Sequence, residues 1–238
     1  IATSTFGLEA CVKREVIKLG FENVRTFDGR VEFTGDESAI PKANLWLRCA
    51  GRVFVKMGEF KALSFEDLFQ GTKALPWGDW IPVDGKFTVV GKSVKSMLHS
   101  VPDCQAIVKK AIVEKLKEKY EVDWFDETGA EYTVQVALLK DVATLTIDTS
   151  GSGLHKRGYR ANALDAPLKE TLAAAMVELS YWNKDRILLD PFCGSGTIPI
   201  EAALIARNIA PGLNRHFASE KWERVPEKLW KEERRRCY

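Results

Sequence analysis

The 238-residue sequence predicts two α+β segments followed by the opening of an α/β doubly wound domain. Three observations carry this. The first sixty residues alternate short helical and strand patterns. A lysine-rich helical pattern over 102–120 precedes two alternating apolar runs over 133–151. Finally, a nearly all-apolar stretch, RILLD (186–190), runs through a glycine turn into an apolar helix at 197–210.

The first segment begins with GLEACVKREVIKLG (7–20), which sets Leu8, Val12, Val16 and Leu19 at helical spacing and ends on Gly20. FENVRTF and RVEFTG flank Asp28-Gly29 and predict a hairpin. SAIPKANLWLRCA (38–50) predicts a second helix and GRVFVKMGEF (51–60) another strand. With ATST as a first strand, this is a ferredoxin-like order.

In the second segment SFEDLFQGTKAL predicts a short helix, PWGDWIPVDG a loop and KFTVVGK (86–92) a strand. PDCQAIVKKAIVEKLKEKY (102–120) predicts a long helix with Ala106, Ile107, Ala111, Val113 and Leu116 as its apolar stripe and lysines opposite. TVQVALLKDVATLTIDTSG (133–151) predicts two strands turning at Lys140-Asp141.

The third segment follows the glycine- and base-rich connector GSGLHKRGYR (151–160). APLKETLAAAMVELSYW (166–182) predicts a helix with Leu168, Leu172, Met176 and Leu179 on one side. RILLD has the composition of a strand buried in a parallel sheet, and TIPIEAALIARNIA (197–210) that of an apolar helix stopped by APG at 210–212. Roughly fifty residues cannot complete a doubly wound sheet, so RILLD is expected to fray with unpaired backbone groups. The chain starts at Ile1 without a methionine and stops at EERRRCY inside a helical pattern, so a fragment is expected.

Composition excludes some functions and leaves others open. A formal charge of +2 neither demands nor forbids a nucleic-acid partner; local clustering must decide. The five cysteines and three histidines are scattered without a CxxC pair, so no metal site is expected. Free thiols point to a reducing cytosol, and no apolar stretch reaches the roughly 20 residues of a membrane span.

The chemistry-bearing stretch is DPFCGSGT (190–197). Asp190 would stand at the carboxyl end of a strand, where open α/β sheets place ligands. Gly194 and Gly196 would let a ligand lie against backbone, and the next helix would aim its amides there. A dinucleotide GxGxxG fails at Pro199, and a Walker loop ending in Gly91-Lys92-Ser93 fails because Lys86 holds the first glycine position. An acid-first loop suits a ligand with a positive amino group and no pyrophosphate. S-adenosylmethionine fits, with its ammonium on Asp190 and its methionine portion over Cys193, Gly194, Ser195 and Gly196.

DPFCGSGTIPIEAALIARNIAPG resembles the first cofactor motif of methyltransferases that act on amino groups of nucleic acids. With HKRGYR, APLKETLAAAM and APGLNR, the third segment is similar to the THUMP-domain methyltransferases, and most similar to the bacterial branch forming N2-methylguanosine in large-subunit ribosomal RNA. FQGTKALPW, GKSVKSMLHSVPDCQAIVKKAIVEKL and the TVQV and LTIDTSG runs resemble the RNA-binding THUMP domain and its ferredoxin-like neighbour. The resemblance implies a ferredoxin-like subdomain over 1–62, a THUMP domain over 63–160 and the start of a Rossmann-like methyltransferase domain over 161–238. It implies S-adenosylmethionine held by Asp190, Pro191, Phe192, Cys193, Gly194, Ser195, Gly196 and Thr197. Its partner would be 23S ribosomal RNA, or alternatively transfer RNA, in the cytoplasm, without membrane or metal. The family also carries an Asn-Pro-Pro-aromatic motif for the target amine. No Pro-Pro pair occurs in these 238 residues, so the catalytic residues are unknown and the chain alone is expected to be inactive.

For RNA, Lys92, Lys95 and His99 interleave with Ser93 and Ser96, a mixture suited to phosphate contacts. Lys109 and Lys110 extend that face, and Arg157 and Arg160 in the connector are expected to contact RNA near the catalytic crevice. Trp77 is expected to plug a small core, and Arg234–Arg236, among glutamates, to form a solvated helix face. Two other classes stay open: a DNA adenine-N6 methylase sharing the DPFCGSGT type of loop, and an RNA-binding module without catalysis.

Overall fold

The computed structural model describes residues 1–159 and 167–237. Two compact units divide the chain, Ile1–Val53 with Thr149–Tyr238, and Phe54–Asp148.

The first unit opens with β1 (Ala2–Thr3), α1 (Glu9–Lys18), β2 (Glu22–Phe27), β3 (Arg30–Thr34) and α2 (Ala39–Trp46). The three strands form an antiparallel sheet in the order β1-β3-β2. Gly29 turns the expected hairpin at φ 72°, and Gly20 ends α1 at φ 81°. Glu9 ties the two together: its carboxylate accepts from Gly7 N at 2.9 Å and from Gly29 N at 2.8 Å. The buried side of α1 is Cys11, Val12, Glu15 and Val16; Leu8 and Leu19 are half-buried.

The strand expected to close this first sheet belongs elsewhere. Val53 makes only an isolated bridge to Ala2, and β4 (Phe54–Lys61) joins the second unit. The two-residue β1 offers little ladder. In the second unit β4 finds a partner strand along its whole length, from Phe54↔Asp148 to Lys61↔Val142, with Thr144 Oγ1 donating to Glu59 at 3.0 Å.

That unit continues with α3 (Phe65–Lys73), β5 (Lys86–Val94), α4 (Val101–Tyr120), β6 (Glu131–Leu139) and β7 (Val142–Asp148), its sheet ordered β4-β7-β6-β5. Ser64 and Asp67 start α3 with a reciprocal capping box. β5 and β6 are parallel, so α4 is their crossover; β6 and β7 are an antiparallel hairpin. Lys140 and Asp141, at φ 50° and 65°, make the left-handed two-residue turn that such a hairpin favours. Tyr132, Val134, Val136 and Leu138 alternate into the core, and Trp77 plugs it as expected, its Nε1 donating to Thr72 O at 2.7 Å. The buried stripe of α4 is Cys104, Val108, Ala111, Ile112 and Leu116. Ala106 is exposed, with Ile107 and Val113 at the margin. The expected stripe is thus rotated, because the true one follows i, i+4, i+7, i+8 spacing from a cysteine.

The chain then returns to the first unit with α5 (Glu170–Leu179), α6 (Thr197–Ala206) and α7 (Glu227–Arg236). α5 buries Ala173, Ala174, Ala175 and Val177, not the expected leucine and methionine stripe; Met176 and Leu179 are each 46% exposed. The small alanines are the ones packed inward, which suits close approach to the neighbouring α6. RILLD forms no strand, and Ile187 and Leu189 are 97% and 83% exposed. Among the described residues no parallel strand pairs with it. α6 ends at Ala206, four residues early, where Asn208 takes a left-handed φ of 52° ahead of APG. Among the described residues no helix is long and apolar enough to cross a membrane.

Candidate cofactor loop and nucleic-acid face

DPFCGSGT forms one continuous loop into α6. Asp190 Oδ1 accepts from Phe192 N at 3.2 Å, closing a turn over its own backbone. Gly196 N donates to Cys193 O at 2.7 Å, and Gly194 and Gly196 sit at φ 54° and 74°, which side chains rarely adopt. A Cβ on Gly194 would meet nothing within 4 Å, so the loop's outer face is open for a ligand to approach. Pro191 through Ser195 are exposed and Thr197 is buried, 3.1 Å from the Ser195 hydroxyl. The loop therefore presents a carboxylate with one oxygen in a local turn, an exposed Cys193 and the first amides of α6.

One turn into α6 lies a residue outside the DPFCGSGT motif. Glu201 is completely buried; its Oε1 accepts from Tyr159 Oη at 2.9 Å and lies 3.4 Å from Arg157 Nε. Burial, then the Glu201 charge, pushes the Tyr159 phenol above its usual range. The signal was present in the sequence: Glu201 is the one charged residue in TIPIEAALIA.

This corrects the role expected of Arg157. It is 3% exposed and donates to Leu154 O at 2.6 Å and Arg48 O at 2.5 Å, so its guanidinium is spent inside the first unit and cannot meet RNA. Arg160 lies outside the described residues.

On the second unit Lys92, Lys95 and His99 are exposed. Ser93 and Ser96 do not offer their hydroxyl hydrogens to phosphate, which corrects that part of the expectation. Ser93 Oγ donates to Leu98 O at 2.7 Å, and Ser96 Oγ to Val94 O at 3.1 Å while accepting from Asp141 N at 3.0 Å. They shape the loop that carries the basic residues. Lys109 and Lys110 lie over the rings of Phe87 and Phe69 at 5.7 and 5.6 Å. Lys115 and Lys119 are paired with Glu118 and Asp79. Lys92, Lys95, Lys109 and Lys110 have no ion pair among the described residues. In the first unit Arg234 is half-buried, donating to Leu213 O and Arg215 O at 2.6 and 2.7 Å.

Three family models tile the chain: the RlmL ferredoxin-like domain over residues 1–54, the THUMP domain over 62–148 and the RMKL-like methyltransferase domain over 157–237. The chain thus carries a ferredoxin-like, a THUMP and a methyltransferase-like domain in one polypeptide. YpsC of Bacillus subtilis strain 168, provisionally named an RNA methyltransferase, is 58% identical over 98% of this chain and 61% of its own length. The ribosomal RNA large subunit methyltransferase K/L of Psychromonas ingrahamii is 38% identical over 94% of the chain and 30% of its own. The solved structure of SMU.472, provisionally a methyltransferase and complexed with SAH, is 47% identical with a TM-score of 0.94, covering 99% of this chain and 63% of that one. This THUMP-domain chain thus spans less than two thirds of the length of the relatives it matches. The exposed lysines belong to its THUMP domain, and Asp190–Thr197 to its methyltransferase domain.

Proposed function

We propose that the protein is an S-adenosylmethionine-dependent RNA methyltransferase that forms N2-methylguanosine in 23S ribosomal RNA in the cytoplasm. The observation that carries this reading is one chain holding both a THUMP domain with unpaired exposed lysines and an acid-first glycine loop opening a helix. The relative complexed with SAH, the demethylated form of S-adenosylmethionine, supports the cofactor, and the K/L relative supports ribosomal RNA.

The loop fits that cofactor. Asp190 has an oxygen to spare for the ammonium, and the open face at Gly194 admits the methionine portion against the backbone. When bound, the cofactor supplies an electrophilic methyl group. The protein's part is to hold Asp190 and the α6 amides in place, with Arg157, Tyr159 and Glu201 anchoring the helix from behind. Lys92, Lys95, His99, Lys109 and Lys110 hold phosphates, which positions RNA without choosing its sequence. The family resemblance assigns the target amine to an Asn-Pro-Pro-aromatic motif, which these 238 residues do not contain, so activity is tested on the complete gene product.

The test is to incubate the complete gene product with methyl-labelled S-adenosylmethionine and total RNA from a strain lacking it, then digest and map the label by mass spectrometry. Label on guanine N2 of 23S RNA is the expected result. Label on transfer RNA moves the substrate, and label on DNA adenine alone overturns the RNA reading.

A further inference from the structure

The first unit contains a cleft of about 390 Å³ that no residue of the cofactor loop lines. Glu15 and Lys18 of α1, Lys42 and Trp46 of α2, Arg48 just after α2, and Glu178 of α5 form its walls. Arg48 decides what the cleft wants. It is 7% exposed, its Nη1 is out of solvent, and among the described residues its guanidinium donates to no acceptor. A guanidinium carries five N–H donors in a rigid fork, and burying them unmet is costly.

The neighbouring acids do not meet them. Glu15 turns both oxygens to backbone, accepting from Arg48 N at 2.8 Å and Cys49 N at 3.0 Å. Glu233, at the rim, is taken by Trp46 Nε1 at 2.8 Å and Arg236 at 3.1 Å. Glu178 accepts from the Cys49 thiol. Lys18 and Lys42 have no ion pair among the described residues. Arg48 and Lys18 face the Glu178 charge and Lys42 lies 5.4 Å over the Phe21 ring, yet among the described residues no protein acceptor takes a hydrogen bond from any of the three side chains. The donor atoms of Glu15, Cys49 and Glu178 lie within 4.8 Å of one another, but a metal ion is a poor occupant with the Arg48 charge beside it and Glu15 already committed.

We propose that this cleft binds the phosphate of a ribonucleotide, with Arg48 forking two of its oxygens, Lys18 and Lys42 neutralising its charge and Glu178 accepting from a ribose hydroxyl. Guanidinium matches phosphate bidentately and lysine meets it as a point charge. The volume is in the range of small-ligand sites and exceeds what a bare phosphate fills. The nucleotide comes either free or as one unit of an RNA strand; only the second source rests on the RNA reading above.

The test is calorimetric titration of the chain with inorganic phosphate, adenosine monophosphate and a single-stranded oligoribonucleotide. Wild type is compared with Arg48→Lys and with the double variant Lys18→Ala, Lys42→Ala; the double variant alters an exposed and a half-buried lysine and guards against misfolding at Arg48. The expected result is that the mononucleotide binds and weakens at least about tenfold in both variants, the loss of one charge-assisted hydrogen bond. Oligoribonucleotide binding that weakens in parallel identifies RNA as the source. Mononucleotide binding alone, with the oligonucleotide ignored, supports a free-nucleotide site and counts against the RNA reading. Mononucleotide binding that is absent or equal in all three proteins overturns the proposal, and an oligonucleotide that then still binds leaves the RNA reading standing.

Discussion

Arg157 Nε lies 3.4 Å from Glu201 Oε1, with 2% and 0% of the two side chains exposed. The pair joins the connector before the methyltransferase helices to the helix that follows the cofactor loop. Removing one partner leaves a buried charge without its counter-ion. Arg157→Ala and Glu201→Ala are each expected to cost about 3–5 kcal/mol in chemical denaturation. Replacing both by methionine is expected to recover much of that. A double-variant loss equal to the sum of the two single losses would show that the two residues act independently.

Asp190 faces the open side of the loop and supports only a local turn. Asp190→Ala is expected to leave stability within about 0.5 kcal/mol of wild type. In the complete protein it should weaken S-adenosylmethionine binding at least about tenfold, for loss of a charged hydrogen bond. Titration calorimetry beside a melting curve separates the two effects.

On the proposed role of Lys92 and Lys95 as phosphate contacts, RNA binding releases counter-ions and is expected to weaken as salt rises. Changing both to alanine is expected to reduce the salt slope by about 1.4 for single-stranded RNA. Arg157→Lys, a buried change, should leave that slope unaltered. Filter binding between low and moderate salt measures both.

Glu15 is fully buried, and burial followed by the nearby Glu178 charge raises its carboxyl from 4.5 to about 7, against the pull of two backbone N–H groups and Arg48. Burial also raises Glu178, which faces Arg14, Arg48, Lys18 and Cys49. An acid whose folded pKa lies above its unfolded value favours the fold while protonated. That stability is therefore present below pH 4.5 and is lost as pH climbs through about 7. Melting at pH 8 is expected to show a loss on the order of 1–3 kcal/mol relative to pH 5. Glu178→Gln keeps an acceptor for Cys49 but removes the repulsion, and should shrink that loss.

Ile187 and Leu189 make almost no packing contact in this chain. Ile187→Ser and Leu189→Ser should shift its melting by no more than about 0.5 kcal/mol. A larger drop would mean that RILLD is packed in solution.

Much of this molecule is legible from local pattern. The Asp28-Gly29 and Lys140-Asp141 turns, the α1 and α4 helices and the DPFCGSGT loop each depend on residues within one or two turns of themselves, so spacing suffices. The failures share a cause. Phe54–Lys61 is a strand by composition, but which sheet it joins depends on β7, some ninety residues later. The inward face of α4 and of α5 depends on what packs there, and small residues such as Cys104 and Ala173–Ala175 win over larger ones.

By itself the sequence determined the chain's family resemblance, its turns and helices and the tight glycine loop at Asp190–Thr197, because those follow from backbone sterics and short-range hydrogen bonds. Only the tertiary structure decided which charges remain available. Arg157 is spent on Glu201, Ser93 and Ser96 on their own loop, while Lys92 and Lys95 stay free and Arg48 is buried without an acceptor. A charged side chain's role depends on its partners and its solvent, and both are set by residues distant in sequence.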